Sequence, residues 1–514
     1  MPANANAPLA GVQFPADATG KRSTLAGGKA VWAAAVRPVD PALADAITAE
    51  KNWRMSYIPH VVKAMEAGAK SPEAAVAIAE AGLAAVYSTF DFVRDGKSVP
   101  LPEAMAQPLA SAAFSTASVK GSGVPAGALS VPYEGKSLEG EALLGQLKTW
   151  TTAGTMEPGV EAAIAAVAKG GRAHLDLSSH VYVVLGATSA LGPLQHLLRW
   201  GATVIGVARQ KPQSWAGLIS AARASAGTLI FPVRGGANGQ DGLHSSDADL
   251  AAAAGADLMV DAPELLAWLK GAIAQTGKPP VVGMYTYLDS DAHVRVSIAC
   301  DAIMKELAPA GSPAVLAYIQ TPSLAYDIPE ATYAASRDLF AHSWLGYLGF
   351  EPNARAPVAG TTPPRYVHDG LMSLQGPNYA LAKNVQMWRG VVARARDGLC
   401  VSANCAPPAR TASMVAGDNK NASTVAAGLD GMGYFKPMAC FDQETVSACM
   451  AALLAHDVGA ADALANPKVA LTHPYDLFSH QAFHGGSFRV GVKPSQLGKL
   501  FYVAGKLRGP ASAL

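Results

Sequence analysis

Between Val181 and Cys405 short apolar runs alternate with helical stretches, and that alternation restricts the fold more than any other feature of the chain. The runs are VYVVL (181 to 185), TVIGVA (203 to 208), TLIFPV (228 to 233), VVGMYTY (281 to 287), AVLAYIQ (314 to 320) and CVSANC (400 to 405). Each has the length of a strand, and most are rich in β-branched residues and bounded by Gly, Pro or polar residues. Helical segments fit between most of them: SALGPLQHLLRWG, WAGLISAARAS, PELLAWLKGAIAQ, VRVSIACDAIMKEL and NYALAKNVQMWRGVVARARDG. Strand runs without a polar face, joined through helices, predict parallel βαβ units. The expected class is α/β, a doubly wound parallel sheet of the Rossmann fold.

Up to about residue 175 the pattern is helical and carries no recognisable chemistry. SPEAAVAIAEAGLAAVYSTF places Ser71 as N-cap, Pro72 at the first helical position and Glu73 in the first turn. A second pair, GEALLGQLKTW and EPGVEAAIAAVAKGG, ends at a Gly170-Gly171 C-cap. The Ser-, Gly- and Pro-rich SAAFSTASVKGSGVPAGALSVPYEGKS before it reads as loop or extended connection. The expected division is a mostly helical region at 1–175 without an assigned role and a Rossmann-fold domain at 176–514. The latter carries an insertion at about 324–372 and a C-terminal segment at about 412–514 for substrate or subunit contacts.

A chain of 514 residues, 50% hydrophobic and 15% charged, has enough apolar surface for more than one core. Its net charge of +1, with signs interspersed, offers no footprint for nucleic acid or an anionic membrane surface. The longest apolar stretches are broken by Gly, Pro or Asp before they reach the length of a membrane span. MPANANAPLAG lacks the charged start and apolar core of a secretory signal. The five cysteines form neither a CxxC pair nor a dense framework, which fits reduced thiols in the cytoplasm. The ending Ser512-Ala513-Leu514 resembles the peroxisomal S-K-L address with its basic residue missing.

Two places carry candidate chemistry. After VYVVL the chain turns at Gly186 through Thr188, Ser189, Ala190 and Leu191, and Gly192 is expected in the first turn of the following helix. Unpaired N–H groups at such a turn can hold a pyrophosphate. The next strand ends at Arg209, with Lys211 beyond it. A guanidinium there pairs with a 2′-phosphate where a carboxylate would accept from a 2′-hydroxyl, so NADP is favoured over NAD. The plain alternative is an ordinary turn followed by a solvated basic pair. Farther on, GPNYALAKNVQMWRG puts Tyr379 and Lys383 on one face of a helix. A phenol serves as general acid or base near neutrality when a nearby cation stabilises its phenolate. His480 and His484 have metal-ligand spacing, but Gly485 and Gly486 follow at once and no third ligand is near, so no metal is expected.

Over roughly residues 181 to 411, GATSALG, NYALAK and VSANCAPPARTAS resemble the glycine motif, the YxxxK motif and the segment after the sixth strand of the short-chain dehydrogenase/reductase family. The resemblance implies an NADP(H)-dependent oxidoreductase, a carbonyl or ketoacyl-type reductase or an alcohol dehydrogenase, and a homo-oligomer. It implies that Tyr379 exchanges the proton, that Lys383 holds the nicotinamide ribose and lowers the tyrosine pKa, and that Ser323 polarises the carbonyl. It also sets Asp261 near the adenine, against the simpler reading of a helix N-cap. The chain departs from the family in three ways. Ala190 replaces the middle glycine, GMYTYLD stands where Asn-Asn-Ala-Gly is usual, and a long insertion between Ser323 and Tyr379 makes Ser373 a rival for Ser323. The insertion's LFAHSWLGYLGFEPNARAPVAGTTPPRY is expected to form an apolar lid or a packing element, and it favours a lipophilic or acyl-type substrate. Other outcomes on this fold are an enoyl-type reductase, an epimerase, or a catalytically inactive NADP-binding structural or regulatory protein.

Overall fold

The computed structural model describes residues 10–107, 113–234, 246–415 and 422–511; the C-terminal Ser512-Ala513-Leu514 lies outside them. Its main sheet has seven strands: Ser115–Lys120 (β1), Val181–Leu185 (β2), Thr203–Val207 (β3), Thr228–Val233 (β4), Pro280–Met284 (β5), Val315–Gln320 (β6) and Cys400–Cys405 (β7). Their order is β7-β6-β5-β2-β3-β4-β1. β2 to β7 run parallel and coincide with the six apolar runs to within a few residues, whereas β1 lies antiparallel on β4. All five residues of β2 are buried, as expected of a strand covered by helices on both faces. From β2 the chain moves outward through β3 and β4, then returns to β5 on the other side of β2. This reversal is the topological switch point, at whose carboxyl ends such sheets bind ligands.

Two local expectations are corrected. The Ser/Gly/Pro-rich stretch read as loop or extended connection contains a strand of the main sheet, β1, in which Ala117 and Val119 face inward and Thr116, Ser118 and Lys120 outward. β1 is an edge strand of small and polar residues, so the partner strand and not its own hydrophobicity recruits it. The same stretch ends in a hairpin of Val131–Tyr133 with Lys136–Leu138. The helix expected to contain Gly192 begins later, at Leu194, and ends at Arg199. Ser189 N–H donates to Gly186 O (2.9 Å) and Gly192 N–H to Ser189 O (3.1 Å), so two successive turns occupy the chain up to Pro193.

The predicted N-terminal helix is found at Pro72–Thr89, with the Ser71 side chain accepting from Ala74 N–H at 3.2 Å. With Thr24–Val36 and Trp53–Ala69 it packs on the helix Gly376–Ala395, which lies beside Ser290–Leu307. Trp32 meets Trp388 edge-on at 5.2 Å, and Tyr87 Oη donates to Asp301 at 2.8 Å. A core lies on each face of the sheet. Val31 and Val86 share one with Val183 and Leu185, while Trp150 and Ile164 share the other with Tyr182 and Val184. The insertion begins and ends as an antiparallel pair, Ala325–Ile328 with Tyr366–Asp369, that encloses the helix Glu330–Ala341 and the turn Trp344–Leu348.

Candidate active site

The turn after β2 is held open by its backbone. Gly186 adopts φ +96°, and the N–H groups of Gly186 and Ala187 both donate to Val207 O at 2.9 Å. A Cβ on Gly186 would sit 3.0 Å from Thr286 N, so only glycine lets the chain leaving β5 pass this close. Among the described residues, the N–H groups of Thr188, Ala190 and Leu191 have no protein acceptor, and Thr188 and Ala190 are exposed. A cluster of unpaired N–H groups can receive an anion. Arg209 and Lys211 are exposed just past β3, and no described side chain pairs with Arg209. Asp261 occupies the N-cap position of Ala262–Thr276 without a side-chain bond to that helix. Its carboxylate accepts from Asp257 N–H at 2.7 Å and pairs with Arg234, so it is committed to its own loop.

Tyr379 and Lys383 project from the first turns of Gly376–Ala395, whose apolar Ala380 and Leu381 pack into the core. Lys383 Nζ donates to Ile319 O at 2.9 Å and to Gln386 Oε1 at 3.2 Å. Gln386 in turn lies 3.5 Å from Met284 Sδ, which fixes this helix face at the ends of β5 and β6. Burial depresses the Lys383 ammonium to about 8. Burial likewise pushes the Tyr379 phenol well above the ordinary tyrosine value, and a hydrogen bond with the Thr321 side chain pulls the other way.

Thr321, the first residue after β6, thus lies at the Tyr379 phenol. Ser323 N–H donates to Thr321 Oγ1 at 3.3 Å, and Thr321 O accepts from Tyr326 Oη at 2.6 Å. Ser373 is exposed in the turn before the helix. The sequence signal for Thr321 was its place directly at the strand end, two residues ahead of Ser323 in YIQTPS.

Sequence reasoning also missed His293. The helix after β5 starts at Ser290, earlier than the apolar pattern suggested, and carries His293 in its first turn. Its imidazole, 1% exposed, stacks on Tyr379 with ring centroids 5.5 Å apart and planes at 20°. Tyr287 completes the aromatic trio at 5.1 Å from His293 and 6.3 Å from Tyr379. Burial and the nearby Lys383 hold the imidazole down at about 3, so it is neutral at physiological pH. Tyr285 takes no part in this trio: its ring folds back over Gly283, where a Cβ would lie 2.3 Å from it.

His480 and His484 diverge. His480 faces Asp476 at 3.6 Å, whereas buried His484 lies 3.0 Å from Glu157, which also binds Arg489 (2.9 Å) and Thr332 (2.8 Å). Among the described residues no three His, Cys, Asp or Glu side chains are grouped to hold a metal. A small cavity lined by Pro193, Tyr285, Ser402, Asn404 and Met450 opens on the sheet face that packs against Gln443–Gly459. Tyr379 does not line it, so the candidate site is defined by converging side chains and not by that hollow.

No family model matches the chain, and no curated protein does. Among solved structures the chain is similar to a short-chain dehydrogenase/reductase from Serratia marcescens, at 15% identity and a TM-score of 0.32, covering 60% of this chain and 98% of that one. Two doubly substituted variants of the Serratia marcescens protein match over the same shares, at 15% and 16% identity with TM-scores of 0.33 and 0.32. The chain's own strand order, with helices on both faces and the reversal at β2 and β5, makes it an α/β protein of doubly wound, Rossmann-like topology.

Proposed function

We propose that the protein is an NADP(H)-dependent oxidoreductase of short-chain dehydrogenase/reductase type, acting between a carbonyl and an alcohol. The observation that carries this reading is the convergence of Tyr379, Lys383 and Thr321 at the ends of β5 and β6, next to the switch point. The residues present fit the nucleotide. The free N–H groups of Thr188, Ala190 and Leu191 suit a pyrophosphate, and exposed Arg209 suits a 2′-phosphate. NADP(H), when bound, supplies the hydride donor or acceptor. Tyr379 gives a proton to the substrate oxygen or takes one from it. Thr321 aligns the phenol, and Ser323, through its N–H on Thr321 Oγ1, steadies Thr321. Lys383 reaches the ribose from its anchor on Ile319 O. The exposed Trp344, Tyr347 and Leu348 of the insertion favour a lipophilic or acyl-type substrate.

The test is NADPH consumption over a panel of ketones and ketoacyl thioesters. Tyr379→Phe is expected to lower turnover by roughly 100-fold or more, with nucleotide binding, followed by tryptophan quenching, unchanged. Full turnover by this variant would remove Tyr379 from the chemistry. A second reading, a nucleotide-binding protein without turnover, draws on the Lys383 ammonium being engaged by Ile319 O and Gln386. Binding of NADPH by the wild type with no consumption in any assay would favour it.

A further inference from the structure

Lys383 is already engaged by Ile319 O and Gln386, and the Tyr379 phenol lies against the Thr321 side chain. His293 differs. Its Nδ1 accepts the backbone N–H of Leu288 at 3.3 Å, which in a neutral ring leaves the proton on Nε2. Nε2 is buried and has no hydrogen-bond partner. A buried donor without an acceptor is costly and calls for a functional account. Burial and Lys383 keep this ring from taking a second proton, so it offers one N–H donor throughout the physiological range. The ring lies face to face with the tyrosine expected to exchange the proton, and half-exposed Tyr287 forms the solvent side of the group.

The geometry points to His293 as a second substrate-binding donor: its Nε2–H hydrogen-bonds the carbonyl oxygen of the substrate beside the Tyr379 hydroxyl. This rests on the oxidoreductase reading and deepens it. A neutral imidazole stabilises the negative charge that grows on the oxygen as the carbonyl is reduced, without competing for the proton that Tyr379 supplies. It adds a polarising donor from the helix after β5 to those that the end of β6 supplies.

Two substitutions separate this role from packing. His293→Phe keeps a ring stacked on Tyr379 and removes the donor, whereas His293→Gln gives up the ring and keeps an N–H. The readouts are kcat and KM for a ketone that the wild type reduces, NADPH binding by tryptophan quenching, and the melting temperature. The expected result is a fall in kcat of roughly 100-fold for His293→Phe, with NADPH affinity unchanged, and partial recovery of kcat in His293→Gln. Near wild-type turnover by His293→Phe overturns the role of the imidazole and leaves the oxidoreductase reading standing. So does the reverse ranking, with His293→Gln the less active and less stable of the two, because that is the signature of a stacking role. A wild type that reduces no carbonyl overturns both.

Discussion

Lys383 shows at a single residue how burial sets chemistry. Its ammonium is depressed to about 8 by burial, from an ordinary 10.5. Between these values the unfolded chain binds the proton and the folded chain does not. The contribution of this side chain therefore makes stability rise with pH across that window, and below it the buried charge is a constant penalty. Lys383→Met keeps the length of the side chain and removes the charge. Its urea midpoint relative to the wild type is expected to be most favourable below pH 8 and to lose that advantage as the pH rises toward 10. A difference that does not change with pH contradicts the depressed lysine. Tyr379 and Lys383 were legible in the sequence because both sit on one helix and their spacing is a local fact. Thr321 and His293 were not, since their nearness to Tyr379 depends on how the ends of β5 and β6 meet the helix, and no periodicity encodes that.

Among the elements, the helices Ser290–Leu307 and Gly376–Ala395 are joined by a buried ion pair. Arg389 Nε and Nη2 donate to the two oxygens of Asp301, each at 2.8 Å, and Tyr87 adds a third bond from Pro72–Thr89. Arg389 is 6% and Asp301 3% exposed, and the carboxylate holds the guanidinium charged against its burial. Arg389→Met leaves an uncompensated carboxylate and is expected to cost about 3–5 kcal/mol in denaturant unfolding. Arg389→Met with Asp301→Leu is expected to cost less than the single change; a double variant that is the less stable of the two contradicts this account. The parallel strands were legible because they are buried on both faces and bounded by turns. β1 was not, because an edge strand with one solvated face needs little hydrophobicity of its own. The start of the helix after Gly186 was misplaced because turns closing on Gly186 and Ser189 compete locally with helix formation.

For the molecule as a whole, helical periodicity upstream of residue 175 shows that apolar faces exist but not what they pack against. The structure sets them on the helices beside the sheet, with Gly82 fitted against the ring of Trp388, and adds β1 as a seventh strand. The fold thereby presents the Gly186 turn, Arg209 and the Tyr379 group along the carboxyl ends of one sheet, and the central claim is that NADP(H) lies across them. The most direct test is a titration of the protein with NADPH and with NADH, read by tryptophan quenching, in the wild type and in Arg209→Asp. The account predicts that the wild type prefers NADPH by about tenfold or more, the worth of a charged hydrogen bond, and that Arg209→Asp loses that preference. Failure of the wild type to bind either nucleotide would contradict it and leave the Gly186 turn a connection between a strand and a helix.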